Sequence, residues 1–421
     1  IITDREALKV LTTAPAVKHI ILTGGTDTAQ NIARSNPATP LSAETGGKNA
    51  IILTASGDRD HAIMNIVASA FGNAGQKCSA CSLLLVERSV YEDKNFQDKL
   101  KDAATSMKVG SVWNLGNVVG PMITNKNDKL LKALELEKGE SWLVPPRFLD
   151  KHKYVLAPTV KWGVRPGNYS FRTELFGPML SVVCIENLQQ GIDLVNSLEY
   201  GLTSGLQSLD EGEQKLWKDS IMAGNLYINR GITGAIVNRQ PFGGMKLSAF
   251  GGGVKAGGPN YCACFVKITD KLGSTTDYTQ SYVKAYEQEF AHARDVNNLY
   301  GEQNAFRYLP LKNMVLRLFP GDNNEDAKMI ALAARICHTP LSISFEPGDD
   351  RTAALASLGC PLKEEALAGF LKSMKNYERI RTCGADIPME MYEEAARIDK
   401  YIATAKPVKD GRVELIRYIE E

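Results

Sequence analysis

A chain of 421 residues, 44% of them hydrophobic, can bury a sizeable core and has the length for two or three domains. Its 49 basic and 48 acidic residues leave a net charge of +1 with no basic stripe or tail, so it carries no electrostatic footprint for nucleic acid. No apolar run is long enough to span a membrane. Eight scattered cysteines are too sparse for a disulfide scaffold, and a reduced, cytoplasmic protein is expected. The chain opens "IITDREALKV", with no initiator Met and no secretory signal, so residue 1 is not expected to be a natural start.

In chain order, "VKHIILTGGTD" predicts a strand ending in a double glycine, "TAQNIARSN" a helix and "NAIILTA" a second strand. Together they predict a βαβ unit of a parallel sheet, with Gly24 and Gly25 where a backbone could approach a phosphate at the helix N-terminus. A tight turn needs such glycines equally well. "DHAIMNIVASAFGNAG" then reads as a helix with Ile63, Ile66, Val67, Ala70 and Phe71 on one face, and "CSLLLVERSV" as a strand. "YEDKNFQDKLKDAATSM" predicts an amphipathic helix, "VWNLGNVVGPMI" a loop, "NLQQGIDLVNSL" and "DEGEQKLWKDSI" helices, and "GNLYINR" a strand. The glycine density of "PFGGMKLSAFGGGVKAGGPNY" fits a linker or a backbone folded closely around a ligand or a neighbouring strand. "SYVKAYEQEFAHARDV" reads as a polar, helical connector.

From Asn304 the α/β alternation resumes. "NMVLRLFPG", "PLSISFEPG", "YERIRTCG" and a last "RVELIRYIEE" read as strands; "NEDAKMIALAARICH", "KEEALAGFLKSM" and "PMEMYEEAARIDKYIATA" read as helices. This predicts a small, separate Rossmann-like layer without a glycine-rich phosphate fingerprint.

"FGNAGQKCSACSLLLV" places Cys78 at a glycine-spaced turn between a helix and a strand. A buried cysteine packs as a small hydrophobe, whereas a catalytic one needs exposure and a base or dipole nearby. Cys78 and Cys81 form C-x-x-C, but no second such pair exists and the five histidines lie far apart, so no metal site is expected. The other seven cysteines, Cys81 included, read as packing residues, and His61, beside Asp58 and Asp60, as a solvated one.

Four segments in order, "ETGGKN", "GQKC", "TELFGP" and "PFGGMKLSAFG", resemble the aldehyde dehydrogenase superfamily, and "ILTGGTDTA" resembles its cofactor turn. "GQKCSA" and "NRGITGAIVNRQPFGG" are similar to the branch that oxidises L-glutamate γ-semialdehyde, the open form of Δ1-pyrroline-5-carboxylate. "YGEQNAFRYLP" and the tail resemble the C-terminal part of the bifunctional proline utilization A flavoenzymes. The resemblance implies an α/β fold: an aldehyde dehydrogenase-like catalytic domain (51–245), the C-terminal part of a Rossmann-like NAD-binding domain (1–50), a glycine-rich stretch and connector (246–300) and a C-terminal Rossmann-like, non-catalytic domain (301–421).

The same resemblance implies the roles. Cys78 is the nucleophile and Glu44 the general base. An aldehyde is oxidised by adding a thiolate and losing hydride to a nicotinamide, and the resulting thioester needs a carboxylate to activate water. Glu174 holds the nicotinamide ribose, Phe176 packs near the nicotinamide, and Gly24, Gly25 and Thr45 contact NAD. Gly25 stands where many members carry serine, so only its N–H could serve. The loop 231–235 matches the family's aldehyde-anchoring loop. There Gly234 and Ala235 offer adjacent N–H groups to the substrate carboxylate, Ser79 a hydroxyl, and Phe242 an apolar wall. The competing readings are packing for Cys78, a capping carboxylate for Glu44, a structural one for Glu174 and a tight turn for the loop.

Members of the superfamily also carry an oxyanion-binding asparagine and an adenosine-side lysine in an N-terminal segment that this chain starts too late to include. A fragment of a larger bifunctional enzyme is therefore expected. It would have a proline dehydrogenase portion upstream that holds FAD, any peripheral membrane association through that portion, and homo-oligomerisation. The tail "FRYLPLKNMVLRLFPG" resembles the missing cofactor segment, and the resemblance implies a degenerate copy. Other expectations are a dehydrogenase for another short acidic semialdehyde, or an inert structural fragment.

Overall fold

The computed structural model describes residues 5–236, 239–271, 273, 275–384 and 386–421. They form two compact units: Thr45–Gly234 with Gly243–Ser248, and Ile1–Glu44 with Ala235–Phe242 and Ala249–Glu421.

The first unit is built on a seven-stranded sheet in the order Asn225–Ile228, Thr203–Gln207, Asn49–Leu53, Cys81–Glu87, Met179–Ile185, Thr159–Trp162, Ser141–Val144. Neighbours are parallel except the last pair, which is antiparallel. Central parallel strands are covered on both faces and read as continuous apolar runs. Asn49–Leu53 and Thr203–Gln207 are buried at every position. Alternation along the strands sends Ile51, Leu53, Leu84 and Val86 to one face, against Ile66, Phe71, Phe96 and Leu100 of the helices Arg59–Phe71 and Lys94–Ser106. Ile52, Leu83, Leu85 and Leu206 face the other way, against Ile192 of Leu188–Asn196 and Trp217 of Glu211–Ser220. Each fully buried Ile or Leu contributes about 1.5–3 kcal/mol. Three of these helices start at carboxylate caps and Leu188–Asn196 at Asn187: Asp58 accepts from Asp60 and His61 N–H, and Asp210 from Glu213 N–H. Each cap is worth about 1 kcal/mol.

In the second unit, Ile20–Thr23 pairs in parallel with Leu41–Glu44, which pairs antiparallel with Ala249–Phe250. The partner in the first βαβ unit is therefore "LSAE", not "NAIILTA" as the sequence predicts. The fully buried Asn49–Leu53 suits the middle of the larger sheet. The glycine-rich stretch is a close approach here: at Gly251 (φ +119°) a Cβ would lie 2.9 Å from the Leu41 carbonyl oxygen. The same unit holds a five-stranded parallel sheet in the order Leu362–Glu364, Leu341–Phe345, Met314–Arg317, Arg379–Arg381, Tyr401–Ala403, the doubly wound arrangement expected of the tail.

Three predicted elements there differ. "KEEALAGFLKSM" splits into the edge strand Leu362–Glu364 and the helix Leu367–Ser373. The helix Met389–Arg397 stops before Asp399, whose φ of 56° is left-handed, and Tyr401–Ala403 returns to the sheet. "RVELIRYIEE" is mostly helical, Gly411–Glu414 and Leu415–Arg417, with strand only at Ile419–Glu420. Buried Gly411, Glu414, Leu415 and Tyr418 follow helical, not strand, spacing. The expected polar connector also contributes to the core: its helix Tyr278–Ala285 and the π-helical turn Tyr286–Phe290 bury Tyr282 and Phe290. Among the described residues, no helix is long and apolar enough to cross a membrane.

Candidate active site

The helix Arg59–Phe71 ends by an abrupt reversal. Asn73, Ala74 and Gly75 follow one another in the left-handed region, at φ 55°, 54° and 64°. A non-glycine residue there costs about 1–2 kcal/mol. Asn73 recovers part of that through its Nδ2, which donates to Gln76 O at 3.0 Å. Gly75 has no alternative, because a Cβ would lie 2.3 Å from Gly177 O. The chain then closes a turn, Ala80 N–H donating to Lys77 O at 3.0 Å, with Cys78 and Ser79 at its centre.

Cys78 is half-buried at this turn and Ser79 is buried. Side chains from two strands hold the carbonyls. Asn49 Nδ2 donates to Cys78 O at 2.7 Å and to Ala80 O at 3.0 Å, and Thr203 Oγ1 donates to Ser79 O at 3.4 Å. Asn49 Oδ1 accepts from Thr203 N–H at 3.0 Å. Gln76 ties the turn to neighbouring loops, donating to Phe176 O at 3.3 Å and accepting from Ile123 N–H at 3.0 Å. The buried Tyr227 is pushed up to about 12, chiefly by burial, with Arg230 lowering it and Cys78 raising it. Cys81 is a different kind of thiol: fully buried, donating to Leu83 O at 3.4 Å and pushed up to about 12 by burial.

Glu174 lies across the same unit from the start of the "TGGKN" motif. Its Oε1 accepts from Gly47 N–H at 3.0 Å, and a Cβ on Gly46 would lie 2.1 Å from its Oε2. Burial raises its carboxyl, with the Gly47 N–H, Lys129 and Lys48 pulling it down. Phe176, two residues on, is 37% exposed with a left-handed φ of 48°. Lys48 is buried beside them and pushed down to about 7 by burial, while Cys81 and Glu174 raise it. Thr45 is buried and engaged with the protein itself, its Oγ1 donating to Leu247 O at 2.5 Å and its N–H to Ser248 O at 3.0 Å.

In the other unit Glu44 closes the strand Leu41–Glu44, paired with Thr23 on one side and Ala249 on the other. Its Oε2 is buried. Lys255, buried nearby, is pushed down to about 8 by burial, against the raising effect of Glu421, Glu44 and Glu420. Gly24 N–H donates to Glu44 O at 3.1 Å, and Gly25 caps the helix Thr26–Ser35 at φ −73°, ψ 150°, a conformation open to any residue. Both glycines are exposed. Ala235 opens the next segment of this unit, and Phe242 bridges Ala256 with reciprocal 3.0 Å backbone bonds. The segment between them, of which Val237 and Asn238 lie outside the described residues, is held from the tail: Gln240 Nε2 donates to Asn304 Oδ1 at 2.7 Å, and Arg239 pairs with Glu302 at 3.4 Å.

The expected residues thus divide. Cys78, Ser79, Thr45, Glu174, Phe176 and Gly234 (φ +84°) belong to one unit; Gly24, Gly25, Glu44, Ala235 and Phe242 to the other. Sequence reasoning passed over Asn49, Thr203, Lys48 and Lys255. Asn304 and Glu302 lie in the quoted "YGEQNAF" but drew no role. Of the cysteines read as packing residues, Cys81, Cys337 and Cys383 are buried, Cys184, Cys264 and Cys360 are intermediate, and Cys262 is exposed, which corrects that reading for Cys262. His61 is exposed, with its Nε2 2.9 Å from Asn229 O.

Residues 1–270 match the model of the "Aldehyde dehydrogenase family". The 1-pyrroline-5-carboxylate dehydrogenase of Geobacillus sp. (strain WCH70) is 36% identical over 221 residues, 52% of this chain and 42% of that protein. That of Oceanobacillus iheyensis is 37% identical over 226 residues, 53% of this chain and 43% of that protein. The structure of proline utilization A from Corynebacterium freiburgense is similar over 99% of this chain and 42% of its own length, with a TM-score of 0.84 and 36% identity. The 1-pyrroline-5-carboxylate dehydrogenase from Thermus with bound NAD is similar over 61% of this chain and 50% of its own, with a TM-score of 0.56 and 33% identity. The chain spans less than half the length of the two sequence relatives.

Proposed function

The chain belongs to the aldehyde dehydrogenase family, and from that premise we propose that it is the semialdehyde-oxidising portion of a longer enzyme that converts L-glutamate γ-semialdehyde to L-glutamate. The observation that carries the reading is Cys78, a half-buried thiol on a turn whose carbonyls are held from two strands, in contrast to the inert, fully buried Cys81. The substrate follows from the relatives named 1-pyrroline-5-carboxylate dehydrogenase, and the larger enzyme from the likeness of nearly the whole chain to part of a proline utilization A protein. An upstream proline dehydrogenase portion, with FAD held there, belongs to the same proposal.

In this mechanism the Cys78 thiolate adds to the aldehyde carbon and its sulfur becomes the acyl carrier. Glu44 takes a proton from the water that hydrolyses the thioester. The residues present fit NAD: Glu174, a half-buried carboxylate oriented by the Gly47 N–H, would hold a ribose, Phe176 would flank the nicotinamide, and the exposed Gly24–Gly25 turn at the N-terminus of Thr26–Ser35 would face a phosphate. When bound, NAD supplies the hydride acceptor. The expected role of Thr45 narrows to its backbone surroundings, because its hydroxyl already serves Leu247 O. Gly234 and Ala235 would offer N–H groups to the substrate's α-carboxylate, with Ser79 and Phe242 completing that end.

The test is Cys78→Ala in the full-length protein. NADH formation from glutamate semialdehyde should vanish while the fold is kept. Substantial residual NADH production would refute the assignment.

A further inference from the structure

Asn49 stands at a break in the larger sheet. It pairs with Cys81, but Ala50 pairs with Leu83, so the ladder slips by one residue between them. The Cys78 turn lies just ahead of the strand Cys81–Glu87, and the Asn49 carboxamide bonds two of its carbonyls. Asn49 is 2% exposed, and its orientation is over-determined: the Thr203 N–H requires an acceptor on one side, and two carbonyls require donors on the other. With the Thr203 hydroxyl on Ser79 O, three consecutive carbonyls, those of Cys78, Ser79 and Ala80, are fixed by side chains of neighbouring strands.

We propose that Asn49, seconded by Thr203, is a positioning residue for the nucleophile, setting the peptide planes of residues 78–80 and with them the direction of the Cys78 thiol. The proposal rests on the reading of Cys78 as the nucleophile. A planar amide bonded to two carbonyls of one turn locks it more tightly than either bond alone, because neither peptide plane can rotate without breaking a bond. Placement matters at this level: a shift of about 1 Å in a reacting group can cost about 10²-fold in rate. Asn49 touches neither substrate nor cofactor in this account and acts only through Cys78.

The experiment uses the full-length protein with Asn49→Asp, Thr203→Val and Cys78→Ala. Asn49→Asp keeps the shape but puts an acceptor where two carbonyls need a donor. Thr203→Val keeps the volume and removes only the hydroxyl. Single-turnover NADH formation gives a rate constant and an amplitude separately, and iodoacetamide alkylation of Cys78, followed by mass spectrometry, gives a second rate independent of NAD. Asn49→Asp should lower the rate constant about 10²-fold and Thr203→Val about fivefold, with KM for NAD unchanged and alkylation slowed in the same order. A merely structural role would reduce the amplitude and leave both rate constants at the wild-type value, and that result would overturn the proposal. If Asn49→Asp fails to fold, Thr203→Val decides: a wild-type rate constant and alkylation rate overturn the proposal. Oxidation persisting in Cys78→Ala would overturn the nucleophile reading itself, and the positioning role with it.

Discussion

Replacing Lys48 by methionine removes a buried ammonium while keeping the length of the side chain. Lys48 is 3% exposed, its Nζ donates a long hydrogen bond of 3.4 Å to Ser82 O, and burial pushes it down to about 7. In the unfolded chain it titrates near 10.4. Between those values the unfolded state binds one more proton than the folded state, so stability rises with pH at about 1.4 kcal/mol per unit. Below pH 7 both states carry the proton, and the wild type bears the full cost of burying a charge, at most about 5 kcal/mol over the window. Cys81 and Glu174 pull Lys48 upward, but burial outweighs them and leaves it at about 7. Lys48→Met should therefore be the more stable protein at pH 6–7, and its advantage should shrink steadily toward pH 10.5. All four tryptophans, Trp113, Trp142, Trp162 and Trp217, lie in the unit that holds Lys48, so their fluorescence in urea reports on that unit alone. Parallel stability curves for the two proteins from pH 7 to pH 10.5 would refute the reasoning.

Glu44→Gln in the full-length enzyme should slow thioester hydrolysis more than acylation, giving a burst of NADH followed by slow turnover; wild-type turnover would remove Glu44 from the mechanism. Gly46→Ala drives a methyl group into the Glu174 carboxylate, 2.1 Å from Oε2, and should raise KM for NAD about tenfold or more; an unchanged KM would show that Glu174 does not hold the cofactor. Ala235→Leu should raise KM for glutamate semialdehyde far more than for propionaldehyde, which has no carboxylate to anchor. Equal losses for both would make the loop a structural element.

Three of the larger sheet's seven strands, Asn49–Leu53, Cys81–Glu87 and Asn225–Ile228, were legible as runs rich in apolar residues, and a period of 3.6 survives in its helices, whereas Ser141–Val144, Thr159–Trp162, Met179–Ile185 and Thr203–Gln207 drew no strand reading. The second βαβ strand was misread because "LSAE" is short and weakly apolar and "NAIIL" is neither, yet the longer run belongs to the other unit. At the tail, apolar residues recur in "RVELIRYIEE" at spacings that fit either period, and only packing of Leu415 and Tyr418 into the core selects the helical one. Cys78, Glu174 and Glu44 stood out through motifs whose residues are adjacent in sequence. Asn49 and Thr203 did not, because their link to the Cys78 turn is made across the sheet, and nothing local in the sequence marks a side chain that bonds a distant carbonyl. Lys48 and Lys255 were likewise hidden, since their burial is a property of the fold.

The bond between Asn49 and Thr203 joins residues 154 apart in the chain. Closing a loop of that length costs about 4–5 kcal/mol of chain entropy before the contact gives anything back. During synthesis, at about 5–20 residues per second, roughly 8–30 s separate the emergence of Asn49 from that of Thr203. Cys78 emerges early in that interval, so the growing chain carries this thiol on a turn that only one of its two supporting strands can yet hold. Oxidants and electrophiles present at the ribosome would meet Cys78 before the sheet is complete, and a chain ending short of Thr203 would stay in that state.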